Sequence, residues 1–265
     1  MKIVDMRVTP VAIADPPLRS SYGLHAPYAL RTVIELVSED GLVGIAEAHG
    51  GEQQLADFLR ARQVVVGASA YDLAQTSQKL QRQFRPSEAE PPADRSHTWI
   101  LPGNSSSDVA LRVFAAIEVA ALDLVGKAIG RPLYELLGGK FRDDVPFSAY
   151  LFFKHGGGGG EEEDARADRY GEAMDPAAVV AQARQMIAEY GFQSVKLKGG
   201  VMHPSVETDT VLALRDALGP TVPLRIDPNA AWSVATSLIV ARRLAHELEY
   251  LEDPTPGLPG MGELR

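Results

Sequence analysis

Lys196-Leu197-Lys198 closes a short apolar run, Phe192 to Lys198, and Gly199-Gly200 follows. In a strand, residues i and i+2 leave the same face. The two ammonium groups therefore project together from the end of a strand that is otherwise apolar. Two close cations disfavour each other's charge, and so does burial; both effects lower a lysine pKa toward that of a base. A strand that runs out into solvated lysines has the same pattern. Two later segments weigh against that. Leu224-Arg225-Ile226-Asp227 and Leu248-Glu249-Tyr250-Leu251-Glu252 each end an apolar run on an acid, Lys198 preceding Asp227 by 29 positions and Asp227 preceding Glu252 by 25. Each gap suits one strand, one helix and two loops. In a parallel β/α barrel the strand C-termini converge on one mouth, so the spacing predicts one site with two lysines and two carboxylates. Carboxylates at adjacent strand ends are oxygen ligands for a hard cation such as Mg²⁺, which makes Asp227 and Glu252 the candidate metal ligands. A lysine base beside a metal-held carboxylate can remove a carbon-bound proton and leave a stabilised enediolate. Asn229, two residues beyond Asp227, is expected on the same face, reaching substrate or a metal-bound water.

The elements that position these residues come in two groups. The first 50 residues read as β-structure: Ile3 to Ile13, Arg31 to Val37 and Val43 to Ala48, the last two joined by the hairpin turn Ser38-Glu39-Asp40-Gly41. Asp15 to Pro27 is a loop long enough to be a lid. From Gln53 to Gly139 the pattern is mostly helical. A long amphipathic helix capped by Ser107-Asp108 runs to Ile129, Gly130-Arg131-Pro132 stops it, and Pro86 to Asn104 reads as loop. Residues 1–140 thus form an α+β domain. Residues 141–265 alternate strand and helix: Pro146 to Phe153, a helix capped by Asp175 and ended by Gly191, the lysine strand, a helix near Val206 to Leu218, the Asp227 strand, a helix near Ser233 to Leu248, and the Glu252 strand. An eight-stranded barrel takes roughly 250 residues, so this part is the first half of a TIM-like barrel. We expect either a truncated portion of a longer protein or a chain that a second chain completes, and a product ending at Arg265 is expected to be inactive alone. Gly156 to Gly160, followed by Glu161-Glu162-Glu163-Asp164, lacks the spacing and the basic residue of a phosphate cradle; it reads as a flexible acidic loop at the barrel mouth.

Composition removes several classes of function. The net charge of −9, from 26 basic and 35 acidic residues, argues against nucleic acid or an anionic membrane surface as partner. With no cysteine, thiolate catalysis, disulfides and cysteine-held metals are excluded. No signal-peptide pattern and no run of about 20 apolar residues is present, so the expected location is the cytoplasm.

Lys-Leu-Lys-Gly-Gly, Ile-Asp-Pro-Asn-Ala-Ala-Trp-Ser and Tyr-Leu-Glu-Asp-Pro, in this order and spacing, resemble successive barrel strands of the enolase superfamily. Within it they resemble the mandelate racemase branch, nearest to the glucarate dehydratase group. Gly23-Leu24-His25-Ala26-Pro27-Tyr28, Gly41 to Glu52, and Tyr150-Leu151-Phe152-Phe153 agree, so the resemblance runs from about Met1 to about Pro254. It implies an α+β capping domain ahead of the barrel. Lys198 becomes the base and Lys196 the residue that depresses its pKa and neutralises the substrate carboxylate. Asp227 and Glu252 become ligands of Mg²⁺, with Asp253, or Glu263 just downstream, able to compete for the second place. His25, Tyr150 and Phe152 become substrate contacts beside Asn229. Asn104 falls near a position where the relatives carry a hydroxyl. His49, His97, His155, His203 and His246 match no family site and are expected at the surface or in packing. Later strands of the family carry a third ligand and a His-Asp dyad. The implied activity is dehydration of a small polyhydroxy carboxylate such as D-glucarate to a 2-keto-3-deoxy acid, in a homo-oligomer. The alternatives are a racemase or cycloisomerase of the same superfamily, or a non-catalytic truncated paralogue. A Schiff-base aldolase would use paired lysines but not the two acids.

Overall fold

The computed structural model describes residues 1–85 and 106–265, with side chains from 109 onward in the second stretch. The loop expected over Pro86 to Asn104, with His97 and Asn104, and the side-chain cap expected of Ser107 and Asp108, lie outside the described residues. In chain order the strands are β1 (Ile3–Ala14), β2 (Leu18–Ser20), β3 (Gly23–His25), β4 (Tyr28–Ser38), β5 (Val43–His49), β6 (Ser148–Leu151), β7 (Ser194–Lys198), β8 (Leu224–Asp227) and β9 (Tyr250–Leu251). The α-helices are α1 (Glu52–Val65), α2 (Leu73–Gln83), α3 (Ser106–Ile129), α4 (Leu133–Leu136), α5 (Pro176–Tyr190), α6 (Pro204–Leu218), α7 (Val234–Arg243) and α8 (Gly257–Leu264). The contacts divide the described residues into two units: Met1–Ile13 with residues 29–85 and 106–143, and Ala14–Tyr28 with Asp144–Arg265.

The first unit is a three-stranded sheet, ordered β1-β4-β5, with α1 to α4. Alternation along β4 sends Ile34 and Leu36 inward, each fully buried. Helical spacing on α3 puts Val113, Ile117, Ala120 and Leu124 on one stripe, and the same core takes in Phe58, Val65 and Leu80. Gly44 lets β5 lie against α3: a Cβ there would overlap the Ala120 carbonyl oxygen and the Leu124 side chain.

The second unit is a parallel sheet in which spatial order follows sequence order, β6-β7-β8-β9. Those are four of the eight strands that a closed barrel needs. Local chemistry sets the helix ends. The Asp175 side chain accepts from the Ala178 amide at the start of α5, and Gly191 ends that helix with a left-handed φ of 68°. Ser233 caps α7 through the Thr236 amide, and His203 caps α6 by accepting from the Ser205 amide. Apolar side chains of the strands and helices form one core, with Leu151, Phe153, Val195, Leu197 and Ile226 fully buried.

Three expectations change. The stretch Asp15 to Pro27 is not structureless: β2 and β3 pair across a two-residue turn, Ser20 opposite Gly23. The glycine-rich acidic segment is not a free loop. Gly159 and Arg166 exchange backbone hydrogen bonds, and a Cβ at Gly159 would overlap the Asp15 backbone. The glycines serve close backbone approach there, which composition alone does not distinguish from flexibility. The helix expected to reach Leu248 ends at Arg243, and the chain after the last strand forms α8.

Gly44→Ala should force α3 away from β5 and lower the stability of the first unit by about 1–3 kcal/mol, the usual cost of overpacking. Urea unfolding followed by a probe in that unit measures it; an unchanged midpoint would show that the helix moves freely.

Candidate active site

Val195 and Leu197 of β7, with Leu224 and Ile226 of β8, face the helices and are at most 1% exposed. Period-2 alternation then places Lys196 and Lys198 together on the opposite face. Strand register supplies their neighbours. Tyr150, Lys196, Arg225 and Tyr250 are partners across the four strands, and Lys198 stands opposite Asp227. Glu252 follows directly on β9, its amide donating to the Ile226 carbonyl at 3.0 Å.

The four charged groups meet. Lys198 Nζ lies 2.8 Å and Lys196 Nζ 3.2 Å from the same Asp227 oxygen, Oδ2. Lys196 Nζ also lies 2.6 Å from Glu252 Oε2. The Asp227 side chain is 3% exposed, and its other oxygen, Oδ1, accepts from the Asn229 amide at 2.9 Å. These pairs overturn the expectation of depressed lysine pKa values in this form of the site. Burial is the largest influence on Lys196 and pulls its pKa down, but the Glu252 and Asp227 carboxylates outweigh it, and the pKa is raised. Lys198 behaves alike: burial lowers, the Asp227 carboxylate and the Tyr150 hydroxyl raise, and the net direction is up.

Aromatic rings flank the ammonium groups. Lys196 Nζ is 5.4 Å from the Tyr150 ring centroid; Lys198 Nζ is 5.9 Å from that ring and 6.0 Å from the ring of Tyr22, within cation–π range. Phe152 lies just beyond β6 with its ring 4.6 Å from Tyr150. Tyr22, in the turn between β2 and β3, was not foreseen. Its phenol pKa is raised by burial, against the opposing pull of Lys198. The contact with Lys198 comes from this residue, while His25 on β3 is solvent-exposed and shares a hydrogen bond of 3.1 Å with the Ser20 hydroxyl. A lone tyrosine in a polar loop carries no sequence signal of such a role.

The face argument for Asn229 does not hold. The strand ends at Asp227, and Asn229 and Ala230 take left-handed φ values of 49° and 58°, so period-2 alternation no longer applies. Asn229 instead lines a cavity of about 180 Å³ with Asp253, Thr255 and Met261, and its Oδ1 is buried with no hydrogen-bond partner among the described residues. Glu252 is the acid brought to Lys196; Glu263 is an exposed residue of α8. Of the remaining histidines, His49 meets Arg31 at 2.9 Å and His203 is the helix cap already described.

Glu207 was also missed. It is fully buried on α6, and its carboxylate accepts from the amides of Gly200, Val201 and Met202 at 3.0, 2.7 and 2.8 Å. Burial raises its pKa and the three amides oppose that. The turn after Lys198 is thus held from within, with Gly200 so close to the Pro228 carbonyl that a Cβ would overlap it.

The donors present suit a hard dication. Asp227 Oδ2 and Glu252 Oε2 both approach one point, now taken by Lys196 Nζ, and both are anionic oxygens. Among the described residues no group of three His, Cys, Asp or Glu side chains could hold a metal ion; the carboxylates that meet at this point are the two of Asp227 and Glu252.

Because both lysine pKa values are raised, the ion pairs stabilise fully below the ordinary lysine value of about 10.4. That contribution is lost as pH rises through the higher folded values. In metal-free protein, urea unfolding should show an alkaline loss of stability above about pH 10.4 that is shallower in Asp227→Asn. Identical alkaline limbs would mean that the pairs do not form in solution.

Comparison with known proteins accords with this geometry. The model of the mandelate racemase / muconate lactonizing enzyme N-terminal domain matches residues 3–138, and that of the enolase C-terminal domain-like family matches residues 178–265. The chain is 42% identical, over its whole length, to a probable glucarate dehydratase of Streptomyces coelicolor, covering 61% of that protein. It superposes on an enolase of Pseudomonas fluorescens holding magnesium, potassium and tartrate, at 41% identity and a TM-score of 0.87, covering 99% of this chain and 60% of that one. An enolase of Thermobispora bispora complexed with magnesium and formate matches at 47% identity and the same TM-score of 0.87, over 100% and 60% of the two chains. The chain therefore spans about 60% of the length of these relatives. No described helix is long and apolar enough to cross a membrane. On these matches the chain belongs to the mandelate racemase / muconate lactonizing enzyme family of the enolase superfamily.

Proposed function

We propose that this chain carries the base and two metal ligands of a magnesium-dependent sugar-acid dehydratase. The observation that carries the reading is the convergence of Lys196, Lys198, Asp227 and Glu252 at the C-terminal ends of three adjacent parallel strands. Similarity to a probable glucarate dehydratase, and the magnesium and tartrate held by a structural relative, support a hydroxylated carboxylate as substrate.

Asp227 and Glu252 would hold the Mg²⁺. Bound there, it would supply positive charge to the substrate carboxylate and the enediolate and would compete with the lysines for their carboxylate partners. Lys196, the more exposed lysine, binds the substrate carboxylate through a charge-assisted hydrogen bond. Lys198 Nζ accepts the α-proton. It must be neutral to do so; the Asp227 carboxylate opposes this by raising the Lys198 pKa, and engagement of that carboxylate by Mg²⁺ would leave burial and the adjacent ammonium of Lys196 to favour the neutral amine. The electron pair of the C–H bond passes into the substrate carboxylate as the enediolate, then returns to form the Cα–Cβ double bond as the bond to the β-hydroxyl breaks. That hydroxyl leaves as water with a proton to which we assign no described residue. The resulting enol ketonises to a 2-keto-3-deoxy acid. Tyr150 and Phe152 line the substrate side, with His25 as a polar contact.

The test is the full-length protein with Mg²⁺ and a panel of sugar acids including D-glucarate. Asp227→Asn should abolish activity with the fold retained, and full activity in excess chelator would overturn the metal. Lys198→Ala should raise the barrier on the order of several kcal/mol and remove exchange of the substrate α-hydrogen with solvent deuterium. Exchange that persists in that variant would move the base elsewhere. Exchange in the wild-type protein without a keto-acid product would favour racemase or cycloisomerase chemistry.

A further inference from the structure

A second buried ion pair lies outside the ionic cluster. Lys154, three residues past the end of β6, is 1% exposed, and its Nζ contacts both oxygens of Asp168 at 2.6 and 2.8 Å. The Asp168 side chain is 4% exposed and also accepts from the Tyr170 amide at 3.0 Å. The Tyr170 ring centroid stands 5.3 Å from the ammonium. Both charges are thus satisfied without water, and neither has a part in the chemistry proposed for Lys198.

Three segments of chain meet at this pair. On one side of Lys154 the backbone pairs with the stem of the β2–β3 hairpin: the Arg19 amide donates to Phe153 O at 2.8 Å and the His155 amide to Pro17 O at 3.2 Å. On the other side Lys154 and Ala173 exchange hydrogen bonds at 3.1 and 3.0 Å. The segment between Lys154 and Ala173 then returns to the C-terminal side of the hairpin base, just past β3, where the Gly160 amide donates to Pro27 O at 2.7 Å and the Glu161 amide to the Tyr28 hydroxyl at 2.9 Å. The base of the hairpin is thus held on both its strands by one segment, and the Lys154–Asp168 pair ties the middle of that segment back to the strand end. At the tip of the hairpin is Tyr22, whose ring faces Lys198.

We propose that the Lys154–Asp168 ion pair positions the β2–β3 hairpin and thereby holds Tyr22 against Lys198, so that both residues act as positioning residues for the substrate pocket. Only the link to substrate rests on the function proposed above; the anchoring stands on the contacts alone. Removing one partner leaves a buried charge unpaired, whereas replacing both by apolar residues of similar size leaves none. The pair is therefore dissected with two single variants and one double.

The experiment uses full-length protein, wild type and Lys154→Met, Asp168→Asn and Lys154→Met/Asp168→Leu. Amide hydrogen exchange of the peptide spanning 15–27 is compared with peptides from β7 and β8, and tartrate binding is titrated in the presence of Mg²⁺. All three variants are expected to exchange about tenfold faster in 15–27 with β7 and β8 unchanged, and to bind tartrate about tenfold more weakly at unaltered Mg²⁺ affinity, tenfold being 1.4 kcal/mol. Should a single variant fail to fold, the double variant decides. Unchanged protection of 15–27 in the double variant, a rise spread equally over β7 and β8, or faster exchange with tartrate affinity intact would each overturn the proposal. Wild-type protein that binds no tartrate would count against the dehydratase reading instead, leaving the exchange result to decide the anchor.

Discussion

An almost fully buried carboxylate facing two ammonium groups is the constraint around which the second unit is arranged. Asp227 cannot be charged in that place without partners, because an unpaired ion in a low-dielectric interior costs several kcal/mol. Lys198 and Lys196 supply them, and the Asn229 amide takes the remaining oxygen. Register makes this possible. In a parallel sheet a slip of one residue would turn Lys196 and Lys198 toward the helices and Val195 and Leu197 toward the site. The fully buried Val195, Leu197 and Ile226 forbid that slip. Apolar packing on one face therefore fixes the ionic geometry on the other.

The loops beyond the strands extend the same logic. The turn after β7 is held by the Glu207 carboxylate. The turn after β8 hands its Ala230 and Trp232 amides to the carbonyls of Asp253 and Pro254, beyond β9. Backbone hydrogen bonds link each strand end to the next, so the strand ends form one connected edge carrying Lys196, Lys198, Asp227 and Glu252. Irregular backbone near a site is stable only where its polar groups find partners, and here many of those partners are other loop residues. A strained conformation such as that of Asn229 survives because its surroundings over-determine it.

Much of this was legible from residue types at fixed offsets. Lys196 and Lys198 two apart, and acids closing the next two apolar runs, are local patterns whose meaning depends only on strand periodicity. The Asp175 cap and the Gly191 stop of α5 are equally local. The β2–β3 hairpin was not legible, because its short strands are held by backbone pairing with residues some 130 positions away in the chain, such as Lys154. Gly159 reads as flexibility for the same reason: the backbone it approaches is that of Asp15, in a distant segment. Tyr22, Glu207, Lys154 and Asp168 have ordinary types in ordinary contexts; Glu207 and the Lys154–Asp168 pair stand out only by burial, and Tyr22 only by its contact with Lys198.

The sequence by itself determined the alternation of strands and helices from β6 to β9, the face on which the lysines lie, and which acids follow them, since these depend on periodicity and on neighbours within a few residues. The tertiary structure alone decided the protonation balance of the cluster. Two adjacent lysines in isolation would depress each other's pKa, but parallel pairing sets Asp227 against both and Glu252 against one, and the sign reverses. It also decided that Asn229 leaves the strand face and that Tyr22 meets Lys198. Electrostatic sign and side-chain contact depend on distances between segments, and those distances exist only once the chain has packed.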